Sequence, residues 1–401
     1  MKTTLIVVRN EADFERAVVL GIASKKYRRP RFVFVGDKSP FFKDGISNEF
    51  IRYIFRINAL KMYDFADYGT MSRVLKFLCG GVNPKIGTRP KTFRSLSNHL
   101  FFFFFQKYIK KKKGSMVSKM LEQIQPAEVF TDNSGENAGY LPSMIRTTAI
   151  DQNIPVYIFS HGGGGGMLGD LYTPNILEYK SYTVLASNEF EVNKYPHNRM
   201  LIGDLATSYT HLKYIDSIQF NDINYLDEKT YKLAFFIGGT LPDITNSWSV
   251  QEEMIMMLSA RDDVAMILKL HPRESAPVRI RHLQKYSNLK IVAGEQDSGK
   301  IIKWANVVVC NDSTSLVFIP MILEKKTVII EGKRHPKFIN HLSLIKKSKV
   351  NYISDYSEFN LKNLEPSVAD DRIIETLAWG KNGNRDLGEL TFNLIDNACE
   401  A

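Results

Sequence analysis

The sequence predicts an α/β fold of two Rossmann-like, doubly wound domains facing a cleft, and three observations predict it. The chain has 401 residues, beyond the usual size of one core, so two domains of roughly 150 to 200 residues are expected. Short apolar runs rich in β-branched and aromatic residues alternate with longer helical stretches, the pattern of parallel sheets covered by helices. After a polar, weakly periodic stretch that follows Gly203, this alternation restarts cleanly at Lys232 with KLAFFIGG.

In the first half, apolar runs bounded by turn residues predict strands at Thr4 to Val8, Arg31 to Val35, Ala127 to Thr131, Val156 to Phe159 and Tyr182 to Leu185. Helices are expected at Glu11 to Ser24, Thr92 to Lys112, Ser115 to Gln125 and Ala138 to Asp151. These make an N-terminal domain over 1–205, with 206–230 as a linker. In a second domain over 231–380, KLAFFIGG is followed by a helix at Val250 to Ala260 and the strand AMILKLH. Further strands are expected at Lys290 to Val292, Asn306 to Cys310 and Thr327 to Ile330, with helices from Ser298 to Ala305 and from Ser315 to Leu323. Residues 381–401 end in a helix near Asp386 to Asn397 that can pack on either domain. No internal repeat of 20 to 50 residues interrupts the pattern.

Composition narrows the class. Hydrophobic residues make up 44% and charged ones 24%, which is globular and excludes a disordered or fibrous chain. Cys79, Cys310 and Cys399 are far apart and in no Cys/His cluster, so neither a zinc site nor a disulfide framework is expected and a reducing compartment is. Arg9, Glu11, Asp13 and Glu15 break the N-terminal apolar patch before it reaches signal-peptide or membrane-span length. A cytoplasmic protein is the expectation.

The net charge is +10, and such an excess attracts the phosphates of nucleic acids, lipids or nucleotides. With no RNA-recognition signature, zinc finger or heptad-linked basic region, nucleic acid is not an expected partner. The most local basic feature is Phe101 to Phe105 running into Lys107 and Lys110 to Lys113. It reads either as a core helix ending in a solvated lysine run or as a peripheral contact with the inner face of a membrane. In the second case each lysine contributes about 1 kcal/mol against anionic headgroups.

Residues with chemistry cluster where expected strands end, and in doubly wound sheets ligands bind beyond the carboxyl ends of the strands. His271, Pro272 and Arg273 follow AMILKL directly. The histidine can donate to a phosphate or ribose, and the arginine offers a planar fork for phosphate. Some forty residues on, NVVVC runs into Asn311, Asp312, Ser313, Thr314 and Ser315 before a helix. Hydroxyls and free amides at a helix start hold anions, although Asp312 or Ser313 can equally serve as a simple cap. Gly239 and Thr240 end the first strand of this domain, where paired glycines allow close backbone approach or a tight turn.

In the first domain, His161 leads a run of five glycines after VYIF. The run lacks the Gly-Lys-Ser/Thr ending of a P-loop and the spacing of a dinucleotide fingerprint. Asp132 and Glu136 lie just beyond another expected strand, where a carboxylate can act as base or nucleophile, or merely cap the loop and helix.

The second domain, over roughly residues 230 to 335, resembles the donor half of glycosyltransferases of the B type. More narrowly, His271-Pro272 with Ser313 to Ser315 resembles bacterial surface-polysaccharide transferases that use CMP-activated acids, namely the Kdo, sialyl and polysialyl transferases. Cytidine-dependent teichoic-acid glycerophosphotransferases share related patterns. The resemblance implies that His271 and the Ser/Thr cluster bind a nucleotide phosphate, and that the donor is a CMP-sugar, with Kdo preferred. It also implies a glycan acceptor that is typically lipid-linked. Sialyltransferases carry an acidic-acidic-glycine motif where this chain has Asp132-Asn133-Ser134-Gly135. No metal or other cofactor is expected, because one phosphate can be neutralised by protein donors and there is no Asp-x-Asp site. A sugar-nucleotide epimerase, a cytidine-dependent glycerophosphotransferase and a non-catalytic nucleotide-sugar-binding module are the alternatives.

Overall fold

The computed structural model describes residues 2–8, 11–26, 28–34, 61–63, 114–132, 141–159, 181–187, 198–205, 208, 228–237, 245–270, 277–292, 298–311, 315–331, 348–367 and 386–400. The chain divides into two compact units, Met1–Phe159 with Leu177–Val184 and Ser160–Ile176 with Leu185–Ala401.

The first sheet is built from β1 (Lys2–Val8), β2 (Arg28–Phe34), β3 (Lys61–Tyr63), β4 (Glu128–Asp132), β5 (Val156–Phe159), β6 (Thr183–Ala186) and β7 (Arg199–Leu201). Its order is β3-β2-β1-β4-β5-β6-β7. Strand β1 pairs in parallel with β2 and β4, β2 with β3, and β4 with β5. Helices α1 (Glu11–Ser24), α2 (114–124) and α3 (Leu141–Asp151) belong to the same part of the chain. Thr4 to Val8, all of β4 and all of β5 are buried, as expected of parallel strands covered on both faces.

A buried polar cluster ties three strands of this sheet together. Thr4 Oγ1 donates to Glu128 Oε1 at 2.6 Å, and Arg28 Nε lies 2.6 Å from the same oxygen. Thr4 and Glu128 are register partners across β1 and β4, and Arg28 opens β2 beside Lys2. A one-residue slip would bury the charges apart from each other, so the cluster specifies register.

The second sheet comprises β8 (Tyr231–Phe236), β9 (Val264–Lys269), β10 (Leu289–Val292), β11 (Val307–Asn311), β12 (Lys326–Ile330) and β13 (Asn351–Ile353) in the order β10-β9-β8-β11-β12-β13. Every neighbouring pair runs parallel. Counted from its own first strand this is 3-2-1-4-5-6, the doubly wound order. Alternate strand residues feed two cores. Ala234, Phe236, Ile267, Val308 and Cys310 pack with residues of α5 (Ser298–Trp304) and α6 (Phe318–Ile322). Leu233, Phe235, Met266, Leu268 and Val309 pack with α4 (Thr245–Leu258) and the 3₁₀ segment Pro277–Lys285. The expected α/β class with two doubly wound sheets is therefore what the chain forms.

At the turn from α4 into β9, Arg261 clasps Asp263 with two hydrogen bonds of 2.9 and 2.7 Å. The hydrogen bond and the guanidinium charge hold the Asp263 carboxyl below the usual carboxylate range. Asn288, just before β10, donates its amide to the carbonyls of Leu258, Arg261 and Val264.

The structure departs from the sequence reading in one helix and in three short strands. The helix expected from Ser315 to Leu323 is a 3₁₀ turn, Ser315–Val317, followed by the five-residue α6. Pro320 lies inside it, and proline supplies no backbone N–H to extend a helical ladder. Strands β3, β7 and β13 escape the sequence pattern because three residues at a sheet margin carry too little periodicity to read. In the expected linker, Ser208 is buried, and its Oγ accepts from the Leu387 N–H at 3.3 Å, where it caps α7 (Leu387–Glu400). Cys310 is buried in β11. The segment Phe101 to Lys113 lies outside the described residues, among which no helix is long and apolar enough to cross a membrane.

Candidate functional site

In each sheet the strand order reverses once, between β1 and β4 and between β8 and β11. Connections leave toward opposite faces at such a point, opening a crevice at the carboxyl ends where ligands bind. In the first sheet Asp132 is the last residue of β4 and 1% exposed. Of the carboxylates singled out in the sequence it is the one the structure describes, and it ends a strand at the reversal. Glu136 and His161 lie outside the described residues. In sequence His161 stands two residues after Phe159, the last residue of β5, and β5 pairs with β4.

In the second sheet three adjacent strands lead into the three motifs read from the sequence. Strand β8 runs through Ile237 into Gly238-Gly239-Thr240, β9 through Leu270 into His271-Pro272-Arg273, and β11 into Asp312-Ser313-Thr314. The motif residues Gly239, Thr240, His271, Pro272, Arg273, Ser313 and Thr314 lie outside the described residues. Ser315 opens the 3₁₀ turn. What the structure shows is that the strands which deliver them are neighbours: β9 pairs with β8, and β8 with β11.

The described ends of these strands are unusually polar for a core. Lys269, the last residue of β9, is 5% exposed, and Asn311, the last of β11, is 1% exposed. Gln251 on α4 is fully buried and donates Nε2 to the carbonyl of Phe236, the last residue of β8, at 3.2 Å. Its Oε1 is buried with no hydrogen-bond partner. A buried polar group left unsatisfied costs stability; of these three side chains that describes Oε1 of Gln251, whereas Lys269 and Asn311 have partners.

Sequence reasoning named Asn311 at the end of its strand and missed Gln251 and Lys269, although the signal was there. Gln251 stands with Met254, Ile255 and Leu258 on the buried stripe of α4, a polar residue at an i, i+3, i+4, i+7 position. Lys269 interrupts the apolar run of β9, and Asn311 closes that of β11. Among the described residues no group of three or more His, Cys, Asp or Glu is placed to hold a metal ion.

No protein-family model matches the chain, and no curated protein matches it in sequence. Solved structures match its fold over the whole length. The UDP-GlcNAc 2-epimerase of Neisseria meningitidis bound to UDP-GlcNAc is similar with a TM-score of 0.60 at 10% identity, covering 100% of both chains. MnaA of S. aureus, solved with UDP, gives 0.60 at 10% identity over 100% of this chain and 97% of that one. The Methanocaldococcus jannaschii UDP-GlcNAc 2-epimerase in complex with UDP-GlcNAc and UDP gives 0.56 at 15% identity over 99% and 100%. At these identities the likeness establishes the fold.

Proposed function

We propose that the chain is an enzyme acting on a nucleotide sugar, and that epimerisation of the sugar fits better than its transfer. The observation that supports this reading most is the whole-chain likeness to 2-epimerases solved with UDP or UDP-GlcNAc. The second domain, 231–380, would hold the nucleotide. His271 and Arg273 at one strand end and Ser313, Thr314 and Ser315 at another would take its phosphates, with Gly239 and Thr240 letting the backbone approach. Epimerisation removes a proton from a sugar carbon and returns one to the other face, so it needs an acid and a base. Asp132, Glu136 and His161 would fill those roles, and no metal or further cofactor would take part.

A transferase using a CMP-activated acid such as Kdo is the second reading, favoured by the His271-Pro272 pair and the Ser313 to Ser315 cluster. Its acceptor would be a glycan, and Phe101 to Lys113 would bring it to a lipid-linked one. A thermal-shift panel of CMP, CDP, UDP and GDP separates the two, since a nucleotide that binds the folded state alone raises its melting temperature. Preference for UDP, followed by a changed sugar when UDP-GlcNAc is incubated without acceptor and with EDTA, is the expected result. Preference for CMP, with no change until a glycan acceptor is supplied, would replace it with the transferase reading.

A further inference from the structure

Helix α3 packs on β4 and β5. Its buried positions Pro142, Ile145, Arg146 and Ala149 recur at i, i+3, i+4 and i+7, the spacing of a core-facing stripe. Three of the four are apolar and one carries a permanent charge. Arg146 is 2% exposed. Its guanidinium lies over the ring of Tyr182, 5.7 Å from the centroid, and Tyr182 is itself 4% exposed. Nη2 of Arg146 is buried and has no hydrogen-bond partner. Among the described residues no carboxylate pairs with it.

A ring face compensates only part of what it costs to take a guanidinium out of water. Leu or Met at 146 would pack the same stripe without that cost and with equal helix propensity. We propose that Arg146, backed by Tyr182, is a binding site for a small oxyanion, a phosphate or carboxylate group, within the first unit. The planar fork takes such a group with two parallel hydrogen bonds, and the ring behind it holds the plane in place. The site uses neither the second-sheet motifs nor Asp132, and it stands whether or not the chain is an epimerase. The oxyanion can be a free ion or the phosphate of a nucleotide.

Thermal shift and calorimetry on the full chain test this with sodium phosphate, sodium acetate and sodium chloride at matched ionic strength, and with UDP. Phosphate or acetate is expected to raise the melting temperature of the unsubstituted protein above the chloride value, and Arg146→Met to abolish that increment. Affinity for the oxyanion should fall on the order of tenfold or more in this variant. Without anion, Arg146→Met should melt no lower than the unsubstituted protein, since an uncompensated buried charge has gone. Arg146→Lys keeps the charge without the fork and should show a smaller increment. A UDP shift that survives Arg146→Met identifies the ligand as a free oxyanion; a shift lost with it identifies the nucleotide phosphate. The proposal is overturned if no anion moves the unsubstituted protein, if Arg146→Met keeps the increment, or if it melts well below. Should Arg146→Met not fold, equal increments in the unsubstituted protein and Arg146→Lys overturn it instead.

Discussion

Asp132 and Glu128 stand at opposite ends of the same five-residue strand, both buried. Glu128 is committed to Thr4 and Arg28. Removing it leaves a guanidinium buried without its carboxylate, so Glu128→Ala should lose about 3 to 5 kcal/mol of unfolding free energy. Denaturant titration measures this, and a loss under about 1 kcal/mol would mean that Arg28 finds solvent or another acceptor. Asp132 lies at the carboxyl end, where a ligand would sit. Asp132→Asn preserves its shape and removes the carboxylate that would serve as the base proposed above. Turnover of the nucleotide sugar is expected to drop by a factor on the order of a hundred or more, with nucleotide affinity little changed. Equal turnover in the two proteins would pass the role to Glu136 or His161.

Among the elements, those with continuous apolar runs or strong helical period were legible in advance. Helix α1 and strand β5 fall on their expected bounds, because a buried parallel strand and a core-facing stripe leave few ways to read the pattern. The margins were not legible. Edge strands of three residues, and the 3₁₀ start of the Ser315 segment, depend on neighbours rather than on their own residues. The contact between α1 and the sheet depends on Gly21. A Cβ built there would lie 2.3 Å from Cζ of Phe32, which is fully buried. Alanine normally favours a helix over glycine by up to about 1 kcal/mol. Here overpacking against a rigid ring should win, and Gly21→Ala should be destabilised by about 1 to 2 kcal/mol net. Thermal unfolding decides the sign, and a stabilised variant would show that helix and strand can move apart freely.

Across the whole molecule, His271 and Ser313 lie some forty residues apart in sequence, yet leave from β9 and β11, the two strands that flank β8. If both contact one nucleotide phosphate, His271→Ala and Ser313→Ala should each weaken nucleotide binding by about 1.5 to 3 kcal/mol. The double variant should then lose less than the sum, because residues sharing a ligand group are not independent. Calorimetric titration of the four proteins measures the coupling, and strict additivity would place the two residues on separate ligands or on none. The sequence by itself determined the α/β class, the doubly wound pattern and the strand ends at which polar motifs emerge, since periodicity and strand-terminal residues are local properties of the chain. Only the tertiary structure decided the strand order that makes three such ends neighbours. It alone decided which of Gln251, Lys269, Asn311 and Arg146 became buried, because burial depends on what packs against a residue from elsewhere in the chain.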